Sequence, residues 1–219
     1  EKNVVLDLNG YTMNSSIAKT FINNGTLKII DSSENKQGSI IGLGITLIEN
    51  NNSLTIEEAK LSTLLTSPQV IDNKGTTIIN NSIITAAYTE NGTINNEENA
   101  VLKITDSTIS KTNADGNNIV NSGTATFDNI KFNLDKGYSS NINNKTTGNL
   151  IVNGGTNSSG SFIENSGTAT INDLVDTSSG ETWRNYEGTL NLNNVDKSKS
   201  YGEVLNGKKG TINITGGNY

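Results

Sequence analysis

Gly123-Thr124-Ala125-Thr126-Phe127 and Gly167-Thr168-Ala169-Thr170-Ile171 share one pattern: Gly-Thr, an apolar residue, a polar residue, then a second apolar residue. Gly25-Thr26-Leu27-Lys28-Ile29, Gly188-Thr189-Leu190-Asn191-Leu192 and Gly210-Thr211-Ile212-Asn213-Ile214 repeat it. Looser copies stand at Leu6-Asp7-Leu8, Leu54-Thr55-Ile56, Thr77-Ile78-Ile79, Leu102-Lys103-Ile104 and Leu150-Ile151-Val152. The ten copies place the first apolar position at 6, 27, 54, 77, 102, 125, 150, 169, 190 and 212, with spacings from 19 to 27 and a mean of about 23. Self-similarity at such a period marks a solenoid or an array of repeats.

Working outward from that pattern, most copies are preceded by an apolar pair ending in Asn, Asp or Glu. Examples are Phe21-Ile22-Asn23, Leu47-Ile48-Glu49, Val70-Ile71-Asp72 and Phe162-Ile163-Glu164. A third apolar patch follows some copies, at Ala59 and Leu61, Ile83 and Ile84, Ile109, Ile130 and Phe132. Each repeat therefore carries two or three strands of three to five residues separated by Asn, Gly and Ser.

A strand that short cannot bury its apolar side chains alone. Stacked in parallel on its counterpart in the next repeat, at ~4.7–4.9 Å, it joins a long sheet with a shared interior. Alternation then sends two side chains of each copy inward and one outward. Leu27, Leu54, Leu102, Leu150 and Leu190 form one interior column, and Ile29, Ile56, Ile79, Ile104, Phe127, Ile171 and Ile214 form its neighbour. The expected fold is all-β, a right-handed single-stranded parallel β-helix of about ten coils spanning residues 1–219 as one domain, roughly 45–50 Å long at that strand spacing. Helical solenoids require a 3.6-residue period, which is missing. Leucine-rich repeats need a longer motif, and a β-sandwich would not repeat one strand motif ten times.

Composition agrees. Only 32% of residues are hydrophobic, yet they recur on a fixed spacing, which separates this chain from a disordered one. The 37 Asn and 22 Gly supply the left-handed backbone positions that frequent tight turns need. A net charge of −6, with one arginine and no dense basic run, argues against a nucleic-acid partner. The absence of cysteine removes disulfides and thiolate metal sites, and the absence of histidine removes the commonest general base. No segment approaches the ~20 apolar residues of a membrane span. The chain opens inside one strand-like run, Val4-Val5-Leu6-Asp7-Leu8, and closes in another, Ile212-Asn213-Ile214, so it reads as a piece of a longer array. Open sheet ends then suggest end-to-end self-association. The polar residues that follow the core copies, Asp31, Asn81, Asp106, Asn129, Asp173 and Asn194, are expected to stack at one corner, either as a ladder or each serving its own turn.

The opening Val-Val-Leu-Asp-Leu-Asn-Gly-Tyr-Thr-Met (4–13) and the closing Gly-Thr-Ile-Asn-Ile-Thr-Gly-Gly-Asn-Tyr (210–219) resemble rungs of the pectate-lyase-like right-handed β-helices found in surface proteins of Gram-positive bacteria. The resemblance is one of repeat style along the whole chain. It implies an exported, cell-wall-anchored protein at the bacterial surface, often an adhesin, whose partners are carbohydrate or host surface proteins. It does not fix function.

Polysaccharide lyases and hydrolases share this architecture, and they need equipment that this chain lacks. Arg184 is the only arginine and has no acidic cluster near it in sequence, and the chain contains no Asp-Asp pair for acid and base work. No cofactor or resident metal is expected. Asp72, Asp106, Asp173 and the pair Glu57-Glu58 could offer oxygen ligands, but no calcium-loop motif contains them, and solvated turns explain them better. Ice binding would need adjacent Thr-x-Thr rows, whereas Thr124-x-Thr126 and Thr168-x-Thr170 are not in adjacent coils and the equivalent positions of other copies hold Lys28, Lys103 and Asn191. Aromatic residues give the binding candidates, because sugars stack on exposed rings: Trp183, Arg184 and Tyr186 share one strand, and Tyr201 lies about one coil later. Aligning Trp183 with Phe162, Val70 and Leu47 places it at least partly in the core, with Arg184 and Tyr186 in the places of Ile163 and Asn165. The expected function is non-catalytic adhesion through one face, with a ligand-free rigid stalk as the alternative and a polysaccharide-cleaving enzyme behind both.

Overall fold

The computed structural model describes residues 2–66, 69–88, 91–112, 116–134, 140–179 and 182–219. They form an all-β, parallel solenoid of about nine turns, linking ten stacked copies of the Gly-Thr strand, and no helix occurs among them. Consequently no helix of the described residues is long and apolar enough to cross a membrane.

Each turn has three faces. The first carries the Gly-Thr copies, from Asn3–Asp7 through Thr26–Ile30 to Thr211–Asn218. The second carries the patch that follows, such as Lys60–Thr66, Ile83–Tyr88 and Thr108–Lys111. The third carries the apolar-pair strands, from Lys19–Asn23 to Val204–Asn206, nine in a single sheet. The first two faces merge into one sheet of 16 strands because strands such as Thr124–Leu134 run unbroken around the corner between them.

Pairing on the first face follows the sequence period. Leu27, Leu54, Thr77, Leu102, Ala125, Leu150, Ala169 and Leu190 are consecutive partners, and so are Ile29, Ile56, Ile79, Ile104 and Phe127. These side chains are buried, and each large apolar member contributes about 1.5–3 kcal/mol. Ile214, in the last of the ten copies, pairs with Leu192 and is half-exposed. The first copy begins at Val4, not Leu6, since Val4 pairs with Leu27 and Leu6 with Ile29. Leu8 instead turns inward at the corner, ahead of Asn9 and Gly10, whose φ values are 43° and 82°.

That corner is built by one left-handed residue per coil. Glu58, Asn81, Asp106, Asn129, Asp173 and Asn194 have φ between 48° and 56°, and Gly154 takes the same place. The kink brings the next residue back inside, where Ala59, Ser82, Ser107, Ile130, Leu174 and Val195 are buried. The expected corner ladder is reduced to two surface bonds, Asn129 Nδ2 to Asp106 Oδ1 and Asn194 Nδ2 to Asp173 Oδ1, both 2.7 Å. A left-handed residue at this bend aims its side chain at solvent, where water competes for the amide.

The continuous ladder lies at the other end of the first face. Asn23, Asn50, Asn73, Asn96, Asn121, Asn144, Asn165, Asn185 and Asn206 close the strands of the third face. Each of the first eight donates Nδ2 to Oδ1 of the next at 2.7–2.9 Å. The amides from Asn23 to Asn185 are buried, and their second N–H meets backbone carbonyls of the following turn, as Asn73 does with Val101 at 2.9 Å. Thr77 fits this interior because its hydroxyl donates to Asn73 Oδ1 at 2.8 Å. With no disulfide available, this ladder is the staple that ties successive coils.

Asp31 belongs instead to an excursion in the second coil. It is 1% exposed, and its carboxylate accepts N–H bonds from Gly10 (2.8 Å), Ser33 (3.1 Å) and Gly38 (2.5 Å). Burial opposes its ionisation, but the hydrogen bonds from Ser33, Gly38 and Gly10 outweigh it and hold the pKa at about 2, below the ordinary 3.8. A depressed folded-state value stabilises the fold above the unfolded pKa, and this contribution, on the order of 1–2 kcal/mol, is lost as pH falls through the folded value. The stability difference between wild type and Asp31→Asn, measured by denaturant titration, should therefore shrink from about pH 5 to about pH 2. A difference independent of pH would contradict this account of Asp31.

Candidate functional site

The nine-stranded third face carries the residues singled out from the sequence. Its strands close with an outward residue and then the inward ladder Asn, so successive coils present Asp72, Asn95, Val120, Asn143, Glu164 and Arg184 in one outer column. Two residues further on, the turn adds Lys74, Glu97, Lys145 and Tyr186. Between Gln69 and Lys145 the column holds Asp72, Asn95, Val120 and Asn143. A polar groove of about 490 Å³ results, floored by Val120 and lined by Asp72, Asn91, Asn95, Glu97, Asn117 and Asn143.

The acids of this groove are engaged. Asn95 Nδ2 donates to Asp72 Oδ1 at 3.1 Å and to Glu97 Oε1 at 2.6 Å, and Lys74 Nζ lies 3.2 Å from Asp72 Oδ2 and 3.6 Å from Glu49 Oε2. Burial works against the charge on Lys74, but the Asp72 and Glu49 carboxylates raise its pKa. Glu49 is also bonded by Lys19, which lowers its pKa. By contrast, the side chains of Asn143 and Lys145 have no hydrogen-bond or ion-pair partner among the described residues.

The aromatic candidates divide. Arg184 pairs with Glu164 and Asn185 with Asn165, so Trp183 falls in line with Ile163 and not with Phe162. Thus Arg184 takes the place of Glu164, and Tyr186 that of Ser166. Trp183 is fully buried, with no ring face available to a ligand. It ends an interior row of rings, Phe127, Phe132, Phe162 and Trp183, whose successive centroids are 6.4, 5.7 and 4.9 Å apart. Arg184 Nη1 lies 3.8 Å from Glu164 Oε1 on the outer surface. Tyr186 is 46% exposed; partial burial and the Glu164 charge raise its phenol pKa, with Arg184 acting against them. These two and Glu164 form one cluster. Tyr201, 91% exposed in the turn before Val204–Asn206, makes no ring contact among the described residues.

Beneath the cluster lies a polar core to which no sequence motif points. Asp176 is completely buried and accepts from Asn157 Nδ2 (2.9 Å), Trp183 Nε1 (3.0 Å) and Lys197 Nζ (2.7 Å), while Lys197 also sits 4.5 Å from the Trp183 ring centroid. Asn118, Asn141 and Asn157 extend this chain through the preceding coils at 2.6 and 2.7 Å. The pair is structural, being closed to solvent. Among the described residues no three His, Cys, Asp or Glu side chains converge as metal ligands, and Asp72, Asp106, Asp173, Glu57 and Glu58 form no such group. The column that lines the groove is recoverable from the repeat, by aligning the residue before each ladder Asn. Compared with known proteins, the chain matches no family model, no curated protein and no solved structure.

Proposed function

We propose that this chain is a non-catalytic adhesive segment of a bacterial surface protein, and that it binds a glycan or a host surface protein through the outer side of its third face. The observation that carries the reading is the amide-lined groove over Val120, open to solvent and long enough to cross several coils. Side-chain amides pair with hydroxyl groups as both donors and acceptors, and Lys145 adds one uncommitted cation. A scaffold of stacked coils holds the backbone beneath these groups at fixed spacing, so that binding orders side chains only. The acids of the groove serve Lys74 and Asn95, which suits recognition better than acid and base catalysis. The likeness in repeat style to pectate-lyase-like right-handed β-helices of Gram-positive surface proteins supports an extracellular, wall-anchored setting.

The test is a glycan and extracellular-matrix binding screen, run beside assays for unsaturated products and reducing ends from acidic and neutral polysaccharides. Saturable binding without product release is expected. An Arg184→Ala/Tyr186→Ala variant shows whether the aromatic cluster extends the groove: an affinity loss of about tenfold, or ~1.4 kcal/mol, is expected if it does. Product release would replace the adhesin with an enzyme. A chain that binds nothing would be a stalk.

A further inference from the structure

We propose that Lys197 and Asp176 join covalently, Nζ to Cγ, in an amide bond that cross-links two successive coils. The strand pairing of Asn157 with Asp176 and of Val175 with Asp196 brings Asn157, Asp176 and Lys197, from three consecutive coils, to one buried spot. In every other ion pair among the described residues the cation is well exposed, whereas here both partners are closed to solvent. The Trp183 ring, its centroid 4.5 Å from Nζ, lies against the amine.

The two carboxylate oxygens have different surroundings. Oδ1 accepts from Asn157 Nδ2 at 2.9 Å and from the Ser178 N–H at 3.1 Å, an arrangement that stabilises an oxyanion. Oδ2 faces Lys197 Nζ at 2.7 Å and Trp183 Nε1 at 3.0 Å. One proton passes along the 2.7 Å contact from the ammonium to Oδ2, and burial favours the neutral pair that results. The amine nitrogen then adds to Cγ, and negative charge gathers on Oδ1 between its two donors. Oδ2 takes a second proton from the nitrogen, the Cγ–Oδ2 bond breaks, and Oδ2 leaves as water. Nζ keeps its third proton as the amide N–H, with Ser200 Oγ 3.3 Å away to accept it. The condensation needs no oxidant, metal or added reactant. Stacked coils hold the two groups together beforehand, which removes most of the entropic barrier. A site closed to water also protects the product from hydrolysis.

The intact mass of the full chain, measured after denaturation, reads the result, because denaturant breaks an ion pair and leaves an amide bond. The wild type should be lighter than its sequence by the mass of one water. Trypsin should release residues 146–184, which carry Asp176, joined to residues 185–199, which carry an uncleaved Lys197. Lys197→Arg keeps a cation opposite Asp176 but removes the attacking amine, and should have the full mass of its sequence. A wild type at full mass would overturn the proposal and leave an ordinary buried ion pair. Loss of water without the two peptides being joined, as in a succinimide formed elsewhere, would overturn it equally.

Discussion

Asn96→Ala should lower the unfolding free energy by about 3–5 kcal/mol, far more than any surface substitution. Asn96 accepts from Asn73 Nδ2 at 2.7 Å and donates to Asn121 Oδ1 at 2.8 Å and to Thr124 O at 3.2 Å, all within a dry corner. Truncation leaves one buried donor, Asn73 Nδ2, and one buried acceptor, Asn121 Oδ1, without this partner, each costing about 1–3 kcal/mol, and opens a cavity beside them. Asn96→Asp should fare no better, because it offers acceptors where donors are required and buries a charge. Asn213→Ala serves as control: its single bond to Asn191 Oδ1 is at the surface, and its loss should stay within about 0.5 kcal/mol. Chemical denaturation measures all three. An Asn96→Ala variant less than about 1 kcal/mol below wild type would mean that the ladder does not staple the coils.

A comparable loss, about 3–5 kcal/mol, is expected for Lys197→Met, since it strands the carboxylate of Asp176 in the interior. Methionine keeps most of the volume near Trp183, so the loss reports charge and not a cavity. The signature is recovery. Adding Asp176→Asn to Lys197→Met should restore part of the stability, because a neutral amide replaces an uncompensated anion. Strictly additive losses in this double-mutant cycle would show that the 2.7 Å contact carries no coupling.

How far the sequence reveals such features depends on how regular each face is. The Gly-Thr strands alternate strictly, so the columns of Leu27 and Ile29 follow from the spacing of the repeat alone. The third face does not alternate. Thr46, Leu47 and Ile48 are buried in succession, because the chain is still bending as it enters the strand. Aligning the apolar pairs by their first member therefore slips the register by one, since Phe21 pairs with Ile48. The same slip sets Trp183 beside Phe162 and hides the Asn ladder behind the more conspicuous corner residues. Four rungs carry the clue Asn-x-Gly: Asn23-Asn24-Gly25, Asn73-Lys74-Gly75, Asn121-Ser122-Gly123 and Asn165-Ser166-Gly167. Glycine is required there because the backbone of the preceding coil passes close by. A Cβ at Gly123 would lie 2.3 Å from Ala100 O, and one at Gly167 2.3 Å from Gly148 O. The groove is illegible for a different reason. It depends on which outward side chains are short, and Val120 among amides carries no motif. Asp176 and Lys197 stand 21 residues apart in an ordinary polar context, and only the stacking of one coil on the next brings them together.

Binding measured face by face tests the central claim most directly. Three variants of the full chain are compared on one glycan and matrix array: Asn143→Ala/Lys145→Ala on the third face, Lys103→Ala/Thr126→Ala on the first, and Ile83→Ala/Lys131→Ala on the second. Binding that falls by roughly tenfold or more in the third-face variant, and persists in the other two, is the expected result. Binding that survives the third-face variant and disappears with either of the others would contradict the assignment of the adhesive surface.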